Sequence, residues 1–598
     1  MNPVRVAAID LGASSGRIVI GDRTDRGLRL REVRRFPNQP RLVGGVLRWD
    51  ARALFAGICA GLRAAATDGS GVPVDAVSVD GWAVDYALLD GDGDLVADPA
   101  SYRDPRSGPP FAAVTGTGGG VGGVDARRLY EATGIAPQPI NTVFQLMAER
   151  DLDRARYAVL VPDLMTYWLS GQLGTELTNA STTGLLDTRV MKWADQVAEA
   201  LAVRIKMFPP LRAAGEVAGP AVPDLGPAVW DRARPPQVIV GPSHDTAAAV
   251  AGVPAAEESF AFVCTGTWAL VGVELPAPVI TEAAREAGFS NEAGVDGTTR
   301  FLRNVTGFWL LQECVREWGR VDLDELTRAA GRVHGLRALV DVQDPAFLPP
   351  GGMTQRIIRA CRRSSGVVLS GEAEIMRCIL DSMAVATRHA VRDAVRLTAR
   401  PVRTVHVVGG GVANPLFCQL VADACQLPVV AGPVEAASWG NTLIQARALG
   451  AAGGSLPEMR SLVRQGVRMV GYQPSGPDRA WERADEIVLG GRALRAATQR
   501  KVLGGGALPG LPYQDGRWLL RYGRRGESFP CAGEPGTVWP GGVPASMPHA
   551  RPEVGNERRV DHSDHSCSRA DRGVRCGWAR TGCGPRFRRG CSSISRGA

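Results

Sequence analysis

The sequence lacks any uninterrupted apolar run of about 18 residues, which is the length that a membrane-spanning helix requires. Its first residues, Met1-Asn-Pro-Val-Arg-Val, also lack the basic segment and apolar stretch that mark a signal peptide. The apolar content of 45% and the charged content of 22% are typical of a globular protein. We therefore predict a cytoplasmic protein with no membrane partner, present as a monomer or a weak homo-oligomer.

Over most of its length the chain has no surplus of basic residues, although the net charge is +8. Residues 501–598 hold 16 Lys and Arg against 8 Asp and Glu, which accounts for the whole surplus and leaves the first 500 residues neutral. We therefore expect no nucleic-acid partner. This last segment contains five of the 12 cysteines without the close Cys-X-X-Cys pairs of a zinc site, and it shows no sustained hydrophobic period. We predict a disordered tail at 491–598.

Several familiar catalytic motifs are also missing. No GxxxxGK[ST] phosphate-binding loop occurs, and the turn at Gly409–Asn414 has Asn where a dinucleotide fingerprint ends in Gly. Ser243-His244-Asp245 contains the residue types of a hydrolase triad, but consecutive residues cannot reach one another in that geometry. These observations argue against a P-loop enzyme, a dinucleotide-dependent enzyme and a serine hydrolase.

The opening stretch Val4–Gly21 has the pattern of an apolar strand, a turn of small polar residues and a second apolar strand. Backbone N–H groups and hydroxyls in such a turn can bind phosphate oxygens, and Asp10 lies where a carboxylate could hold Mg²⁺ beside them. A similar pattern returns at Phe260–Glu274, and the two together indicate a duplicated domain with a phosphate site on each side of a cleft. Each turn considered alone is better explained as an ordinary β-hairpin, and the occurrence of the pair favours a nucleotide site.

Strands and helices alternate along the first 500 residues, as in an α/β protein. A strand at Gln237–Val240 leads through Ser243-His244-Asp245 into a helix of small residues at Ala247–Ala251, and we place a domain border just after it. The predicted domains are 1–252, 253–490 and the tail. A strand, glycine turn and helix at Thr404–Cys425 predict a second anion-facing helix N-terminus.

Asp245 is the strongest candidate for an acid or base, because its carboxylate follows a buried strand near the predicted domain border. It could accept a proton from a substrate hydroxyl. The alternative is that Asp245 only caps the helix that begins at Thr246. Spacing alone does not separate the two interpretations.

In their shared order these motifs resemble the FGGY carbohydrate kinases of the actin-like (ribonuclease H-like) ATPase superfamily, from about Val4 to about Leu489. The motifs that carry the resemblance are Asp10-Leu-Gly-Ala-Ser-Ser-Gly-Arg17, Ser243-His-Asp-Thr246, Thr265-Gly-Thr-Trp268, Asn304-Val-Thr-Gly-Phe-Trp-Leu-Leu-Gln312, Tyr102-Arg-Asp104, Asn141-Thr-Val-Phe-Gln145, Gly409-Gly-Gly411 and Ala431-Gly-Pro-Val-Glu435.

The resemblance implies two ribonuclease H-like domains that flank a cleft, with residues 1–252 binding the sugar and residues 253–490 binding the nucleotide. It implies ATP- and Mg²⁺-dependent phosphorylation of a small ketose, L-rhamnulose, on its terminal hydroxyl to give L-rhamnulose 1-phosphate in L-rhamnose breakdown. The alternatives are another kinase of the family, acting on fuculose, xylulose or a polyol, and a non-kinase actin-like ATPase.

Residue roles follow from the same resemblance. Asp245 would be the general base, Asp10 would serve Mg²⁺, and Gly81, Ala83 and His244 would contact the sugar. The residues implied to hold the ATP phosphates form one turn, namely Ala13, Ser14, Ser15, Gly16 and Arg17. Those implied to contact the rest of the nucleotide are Thr267, Asn304, Gln312 and Gly410.

One motif departs from the family pattern. The sugar-side motif commonly has the sequence Asp-Thr-Trp-Gly, and here it is Asp80-Gly81-Trp82-Ala83. A methyl group at Ala83 could crowd the ligand, which bears on the identity of the ketose and not on the phosphoryl transfer.

Overall fold

The computed structural model describes residues 3–25, 27–67, 70, 72–222 and 234–488. Its strands, numbered in chain order, are β1 Val4–Leu11, β2 Ser15–Thr24, β3 Gly27–Pro37, β4 Arg41–Val43, β5 Val46–Arg48, β6 Ala76–Gly81, β7 Tyr86–Leu89, β8 Leu95–Ala97, β9 Tyr157–Leu160, β10 Thr175–Glu176, β11 Leu186–Asp187, β12 Lys192–Trp193, β13 Leu211–Arg212, β14 Val217–Pro220, β15 Gln237–Ile239, β16 Phe260–Thr265, β17 Trp268–Leu275, β18 Ser290–Ala293, β19 Thr299–Thr306, β20 Thr404–Gly409, β21 Val429–Ala431 and β22 Val470–Tyr472.

The α-helices are α1 Ala51–Ala66, α2 Gly108–Thr115, α3 Ala126–Thr133, α4 Thr142–Met147, α5 Val161–Ser170, α6 Leu177–Ala180, α7 Asp195–Ala200, α8 Asp245–Ala251, α9 Glu282–Glu286, α10 Trp309–Trp318, α11 Leu323–Arg332, α12 Met353–Ser365, α13 Glu372–Thr398, α14 Pro415–Cys425, α15 Ala436–Ala448 and α16 Leu456–Gly466. Among these helices none combines the length and the apolar character needed to cross a membrane. The predicted tail at 491–598 lies outside the described residues.

A six-stranded sheet with the order β14-β15-β6-β1-β2-β3 forms the centre of the first half. Strands β1, β2 and β3 are antiparallel, whereas β6 and β15 run parallel to β1. Seven of the eight β1 residues are buried, as expected for a central strand covered on both faces. A smaller sheet, β8-β7-β9, follows β6 and carries the segment that begins at Tyr86.

The second half repeats this topology. Its seven-stranded sheet has the order β18-β19-β17-β16-β20-β21-β22, with β16, β17 and β19 antiparallel and β20 and β21 parallel to β16. The series β3-β2-β1-β6-β15 therefore corresponds to β19-β17-β16-β20-β21. The hairpins β1–β2 and β16–β17, which have similar sequence patterns, occupy equivalent positions in the two sheets.

Helices α8 and α15 contact both sheets, α8 through β6 and β16, and α15 through β1, β6 and β20. They can cross closely because their contact faces carry small residues. A Cβ atom added at Gly440 would lie 1.8 Å from the Ala248 carbonyl oxygen, and one at Gly252 would lie 2.4 Å from that of Ala436. The crossing brings polar residues of α15, far along the chain, against the first sheet.

Candidate functional site

The turn between β1 and β2 is held by backbone hydrogen bonds. The Gly12 N–H donates to the Ser15 carbonyl at 3.0 Å, and Asn38 donates its own N–H to the Ser14 carbonyl at 3.0 Å and its side-chain amide to the Gly12 carbonyl at 2.9 Å. Ser14 is exposed, and Ala13 and Ser15 are half-buried. The turn therefore presents a fixed, solvent-accessible set of backbone groups and hydroxyls, as an anion site requires.

Arg17 supplies positive charge beside this turn. It is the cross-strand neighbour of Asp10, and its Nε lies 3.3 Å from Asp10 Oδ2. Its guanidinium also forms an ion pair with Glu435, whose other oxygen lies 3.6 Å from Arg35. Two arginines of the first sheet thus share the carboxylate of Glu435, at the start of α15.

Asp10 and Asp80 lie opposite one another on the parallel strands β1 and β6, and both are buried. Burial raises the pKa of the Asp10 carboxyl, and the charge of Asp245 adds to that rise while Arg17 opposes it. Burial also raises the pKa of Asp80 well above its usual range, and the charges of Asp10 and Asp245 act in the same direction. The three carboxylates therefore lie within electrostatic reach of one another.

The chemistry of this carboxylate pair fits a magnesium ion. Asn441 donates to Asp80 Oδ2 at 2.6 Å, while Asp80 Oδ1 is buried without a hydrogen-bond partner. Across the described residues, no three His, Cys, Asp or Glu side chains form a metal site by themselves. In proteins Mg²⁺ is usually bound by one or two carboxylates, with water and substrate phosphates completing its shell.

Asp245 is the first residue of α8, and its side chain is 36% exposed. Its carboxylate accepts a hydrogen bond from the Thr246 hydroxyl at 3.0 Å and lies 3.4 Å from His244 Nε2. The helix begins at Asp245 itself, and its N-cap residue is His244. The capping interpretation required Asp245 to be the N-cap residue, so the helix begins one position too early for it. A partly exposed carboxylate at this point is available to a substrate hydroxyl.

His244 is adjacent to Gly81, and the family resemblance implies that both residues contact the sugar. The two residues form a parallel β-bridge, and the Gly81 N–H donates to the Ser243 carbonyl at 3.0 Å. A Cβ atom at Gly81 would lie 2.9 Å from Leu11 Cβ and 3.0 Å from the Leu11 carbonyl oxygen. Gly81, which stands where the family motif commonly has Thr, therefore allows β6, β1 and the His244 segment to approach one another closely.

The segment after Gly81 is strained and tightly held. Ala83 is half-buried, and Val84 has a φ of 67°, in the left-handed region that a β-branched residue rarely adopts. The Thr142 hydroxyl donates to the Val84 carbonyl at 2.7 Å and so helps to fix this conformation. The strain lies directly beside the residues predicted to contact the sugar.

Asp85 is the centre of hydrogen bonding in this segment and is fully buried. It accepts from the Trp49 and Trp82 indoles at 2.6 and 3.0 Å, from the Gln145 amide at 2.9 Å, and from the Tyr102 N–H at 3.1 Å. Burial raises the pKa of Asp85 to about 6, although these donors oppose the rise. The carboxylate thereby orients two tryptophans beside the sugar-side motif.

In the second half, the turn Thr265–Trp268 is contacted by two other motif segments. Phe308 and Trp309 donate their N–H groups to the Gly266 and Thr267 carbonyls at 3.0 and 3.2 Å. The Gly411 N–H donates to the Thr265 hydroxyl at 2.8 Å, and Gly410 beside it is exposed. Motifs more than 140 residues apart in sequence are thus assembled into one surface.

Two predicted nucleotide residues contact each other, and a third contacts the first half. The Thr267 hydroxyl donates to Gln312 Oε1 at 3.2 Å, whereas the Asn304 amide donates to Gln138 Oε1 at 3.2 Å. The Gly409 N–H donates to the Pro433 carbonyl at 3.1 Å, two residues before Glu435. The segment at 433–435 therefore connects the glycine turn of the second half with Arg17 of the first.

The predictions from the sequence missed several polar residues that the fold brings to this region. Asp80 and Glu435 belong to the motifs that resemble the family, and Asp85 lies two residues after Ala83, so their positions in the sequence are a signal of a role at this site. Gln138, Glu292 and Arg300 lie in no motif. Packing of the two halves brings Gln138 to Asn304 and brings both Glu292 and Arg300 to His244.

Comparison with known proteins gives consistent results. Residues 5–252 match the N-terminal domain, and residues 261–449 the C-terminal domain, of the FGGY family of carbohydrate kinases. The chain is 36% identical over 483 residues to a rhamnulokinase of Bacteroides thetaiotaomicron, which covers 80% of this chain and 97% of that protein. It is 37% identical over 480 residues to a rhamnulokinase of Pectobacterium carotovorum, covering 78% of this chain and 93% of that one.

Solved structures agree on the fold. A ligand-bound xylulose kinase from Lactobacillus acidophilus superposes with a TM-score of 0.68 at 15% identity, covering 83% of this chain and 99% of that one. A Plasmodium falciparum glycerol kinase with ADP gives a TM-score of 0.64 at 14% identity, covering 83% and 98%. The predicted α/β fold with two actin-like halves is confirmed.

Proposed function

The chain belongs to the FGGY family of carbohydrate kinases, and from that premise we propose that it phosphorylates L-rhamnulose with ATP to give L-rhamnulose 1-phosphate in L-rhamnose breakdown. The observation that carries the choice of ketose is the likeness to rhamnulokinases over nearly their whole length. The site supports it with the partly exposed carboxylate of Asp245, which lies within electrostatic reach of Asp10 at the end of the strand that leads into the proposed phosphate turn.

In the proposed reaction Asp245 accepts the proton of the terminal sugar hydroxyl. The hydroxyl oxygen forms a bond to the γ-phosphorus of ATP while the bond from that phosphorus to the bridging oxygen breaks, and ADP leaves. Such a transfer depends mainly on alignment and on neutralising phosphate charge. Asp10 and Asp80 are buried, so Asp245 is the most accessible base among these three carboxylates.

The phosphate-binding groups are proposed to come from both halves. The turn Ala13–Gly16 and the guanidinium of Arg17 would contact the triphosphate from the first half. Thr267, Asn304, Gln312 and Gly410 would contact the nucleotide from the second. Asp10 would hold Mg²⁺, with Asp80 as a second carboxylate, and the bound ion would neutralise phosphate charge.

On the sugar side, Gly81, Ala83 and His244 are proposed to contact the ketose, beside the tryptophans oriented by Asp85. We further propose that residues 1–252 form the sugar-binding domain and residues 253–490 the nucleotide-binding domain. The protein would act in the cytoplasm as a monomer or weak homo-oligomer.

A panel of acceptors tests the choice of substrate. L-rhamnulose, L-fuculose, D-xylulose and glycerol are each supplied with ATP and Mg²⁺, ADP release is measured by a coupled assay, and the site of phosphorylation is determined by ³¹P NMR. We expect the highest kcat/KM with L-rhamnulose and phosphate on its terminal hydroxyl. Turnover of fuculose or xylulose well above rhamnulose would contradict the proposal, and the Asp245→Asn variant supplies the background rate.

A further inference from the structure

His244 of the first half is enclosed by an ion pair from the second half. Glu292 on β18 and Arg300 on β19 are cross-strand neighbours, and Arg300 Nη1 lies 3.0 Å from Glu292 Oε2. Arg300 is completely buried and Glu292 is 7% exposed. Arg300 also donates through Nε to the Ala293 carbonyl at 3.0 Å, so its guanidinium is held in one orientation.

This fixed guanidinium determines where the His244 ring carries its hydrogen. Arg300 Nη2 lies 3.1 Å from His244 Nδ1, and because arginine can only donate, Nδ1 must accept. A neutral ring then has its hydrogen on Nε2, the atom that lies 3.4 Å from Asp245 Oδ1. The hydrogen of His244 is thereby placed on the ring nitrogen that lies near the carboxylate of the proposed base.

The opposite tautomer has its hydrogen on Nδ1 and would donate it to the carboxylate of Glu292, whose Oε2 lies 3.4 Å from Nδ1. It would also bring a hydrogen on Nδ1 against the nearer N–H of Arg300. The shorter distance and the repulsion between two donors both favour the hydrogen on Nε2.

We propose that Arg300, anchored by Glu292, is a positioning residue that fixes His244 as the Nε2–H tautomer and so orients Asp245 as the base. The role in catalysis rests on the proposed function, whereas the tautomer does not. Because Arg300 shares β19 with Asn304, the strand proposed to contact the nucleotide also positions the catalytic carboxylate. The base is then fully ordered only when both halves are assembled.

The tautomer can be observed directly in the full-length protein labelled with ¹⁵N-histidine. Long-range ¹H–¹⁵N correlations distinguish the two ring nitrogens, and His244→Gln identifies the signal. We expect an unprotonated Nδ1 and a protonated Nε2 without any substrate present. A hydrogen on Nδ1 would overturn the proposal, whichever ketose the enzyme uses.

A double variant tests the effect on catalysis. Arg300→Met with Glu292→Leu removes both charges at similar volume, so no unpaired charge is left buried. We expect mixed His244 tautomers and a kcat lowered roughly 10- to 100-fold, with KM for ATP unchanged. The matched control is the pair Arg377 and Asp381 in α13, 2.9 Å apart and away from His244, changed to Met and Leu; it should leave the tautomer and kcat as they are.

Equal losses of kcat in both double variants, or an unchanged tautomer in the first, would overturn the positioning role. Should Arg300→Met with Glu292→Leu fail to fold, Glu292→Gln gives a second test, because it removes the charge that pairs with Arg300 and is nearly isosteric. A tautomer and kcat unchanged in Glu292→Gln would contradict the proposal, and a mixture with lowered kcat would support it. Absence of turnover on every ketose with the expected tautomer would refute only the proposed function.

Discussion

The carboxylates of this protein differ mainly in how far each is removed from water. Asp10, Asp80, Asp85 and Asp163 are buried, whereas the side chain of Asp245 is 36% exposed. A general base must be accessible to the substrate. Of these five residues, Asp245 meets this condition.

Replacing Asp245 by Asn should lower kcat by roughly 10²–10⁴-fold, because the amide cannot accept the hydroxyl proton. Nucleotide affinity should be unchanged, since the phosphate turn and the Thr265–Trp268 turn do not depend on this side chain. Steady-state kinetics and titration with ADP separate the two effects. A loss of ADP binding in parallel with kcat would indicate that Asp245 has a structural role.

Asp163 shows what burial does to a carboxyl outside the proposed chemistry. It is buried beside Glu176, and burial together with the charge of Glu176 raises its pKa to about 8. Oε2 of Glu176 accepts hydrogen bonds from the backbone N–H groups of Thr178, Asn179 and Ser243. The pair supports the segment that leads to His244.

This raised pKa predicts that stability falls between pH 6 and 8. In that range folded Asp163 keeps its proton, whereas in the unfolded chain the carboxyl has already ionised near 3.8. The folded state binds more protons, so the free energy of unfolding falls with rising pH, by at most about 1.4 kcal/mol per unit. Asp163→Asn cannot titrate, and its melting temperature should fall less over the same range.

Thermal melts at pH 6 and pH 8 measure this difference, and Asp92→Asn at an exposed position is the control. Equal falls in the wild type, Asp163→Asn and the control would show that Asp163 is ionised throughout the range.

At the level of elements, the sequence predicted helices and strands well where periodicity or caps mark them. The strand and helix predicted within Thr404–Cys425 and the hairpin predicted at Phe260–Glu274 are confirmed. The small-residue helix predicted at Ala247–Ala251 begins two residues earlier, at Asp245. Its close crossing with α15 was not predictable, because the partner lies about 190 residues further along the chain.

The crossing of α8 and α15 gives a prediction for Gly440. A methyl group there would lie 1.8 Å from the Ala248 carbonyl oxygen, a backbone atom that cannot move without shifting α8. Gly440→Ala should therefore lower the free energy of unfolding by roughly 1–3 kcal/mol, measured by urea denaturation.

The matched control for that variant is Gly331→Ala in α11, where an added Cβ atom would meet open space. Alanine has the higher helix propensity, so this change should raise stability by up to about 1 kcal/mol. If the two substitutions had the same effect on stability, the close helix crossing would not restrict the size of the side chain at position 440.

For the whole molecule, the duplicated topology explains why similar turns occur far apart in the chain. Each half places a β-turn at the end of the same pair of antiparallel strands, β1–β2 and β16–β17. The curated relatives match about 480 residues, and the described part of this chain extends to residue 488.

We therefore predict that residues 501–598 are not needed for catalysis. A chain that ends at residue 500 should retain the kcat and KM of the full-length enzyme in the coupled assay. It should also lose the net charge of +8, because the first 500 residues are neutral. Abolished activity in a shortened chain that still melts cooperatively would show that the tail contributes to function.

The sequence by itself determined the α/β class, the repeated hairpins and the residue types of the phosphate and base motifs. These are local features, set by the periodicity of apolar residues and by small residues in turns. Only the tertiary structure decided that Asn441 meets Asp80, that Glu435 meets Arg17 and that Arg300 meets His244. Such contacts join residues up to several hundred positions apart, and they depend on how two sheets and their helices pack, which no local pattern encodes.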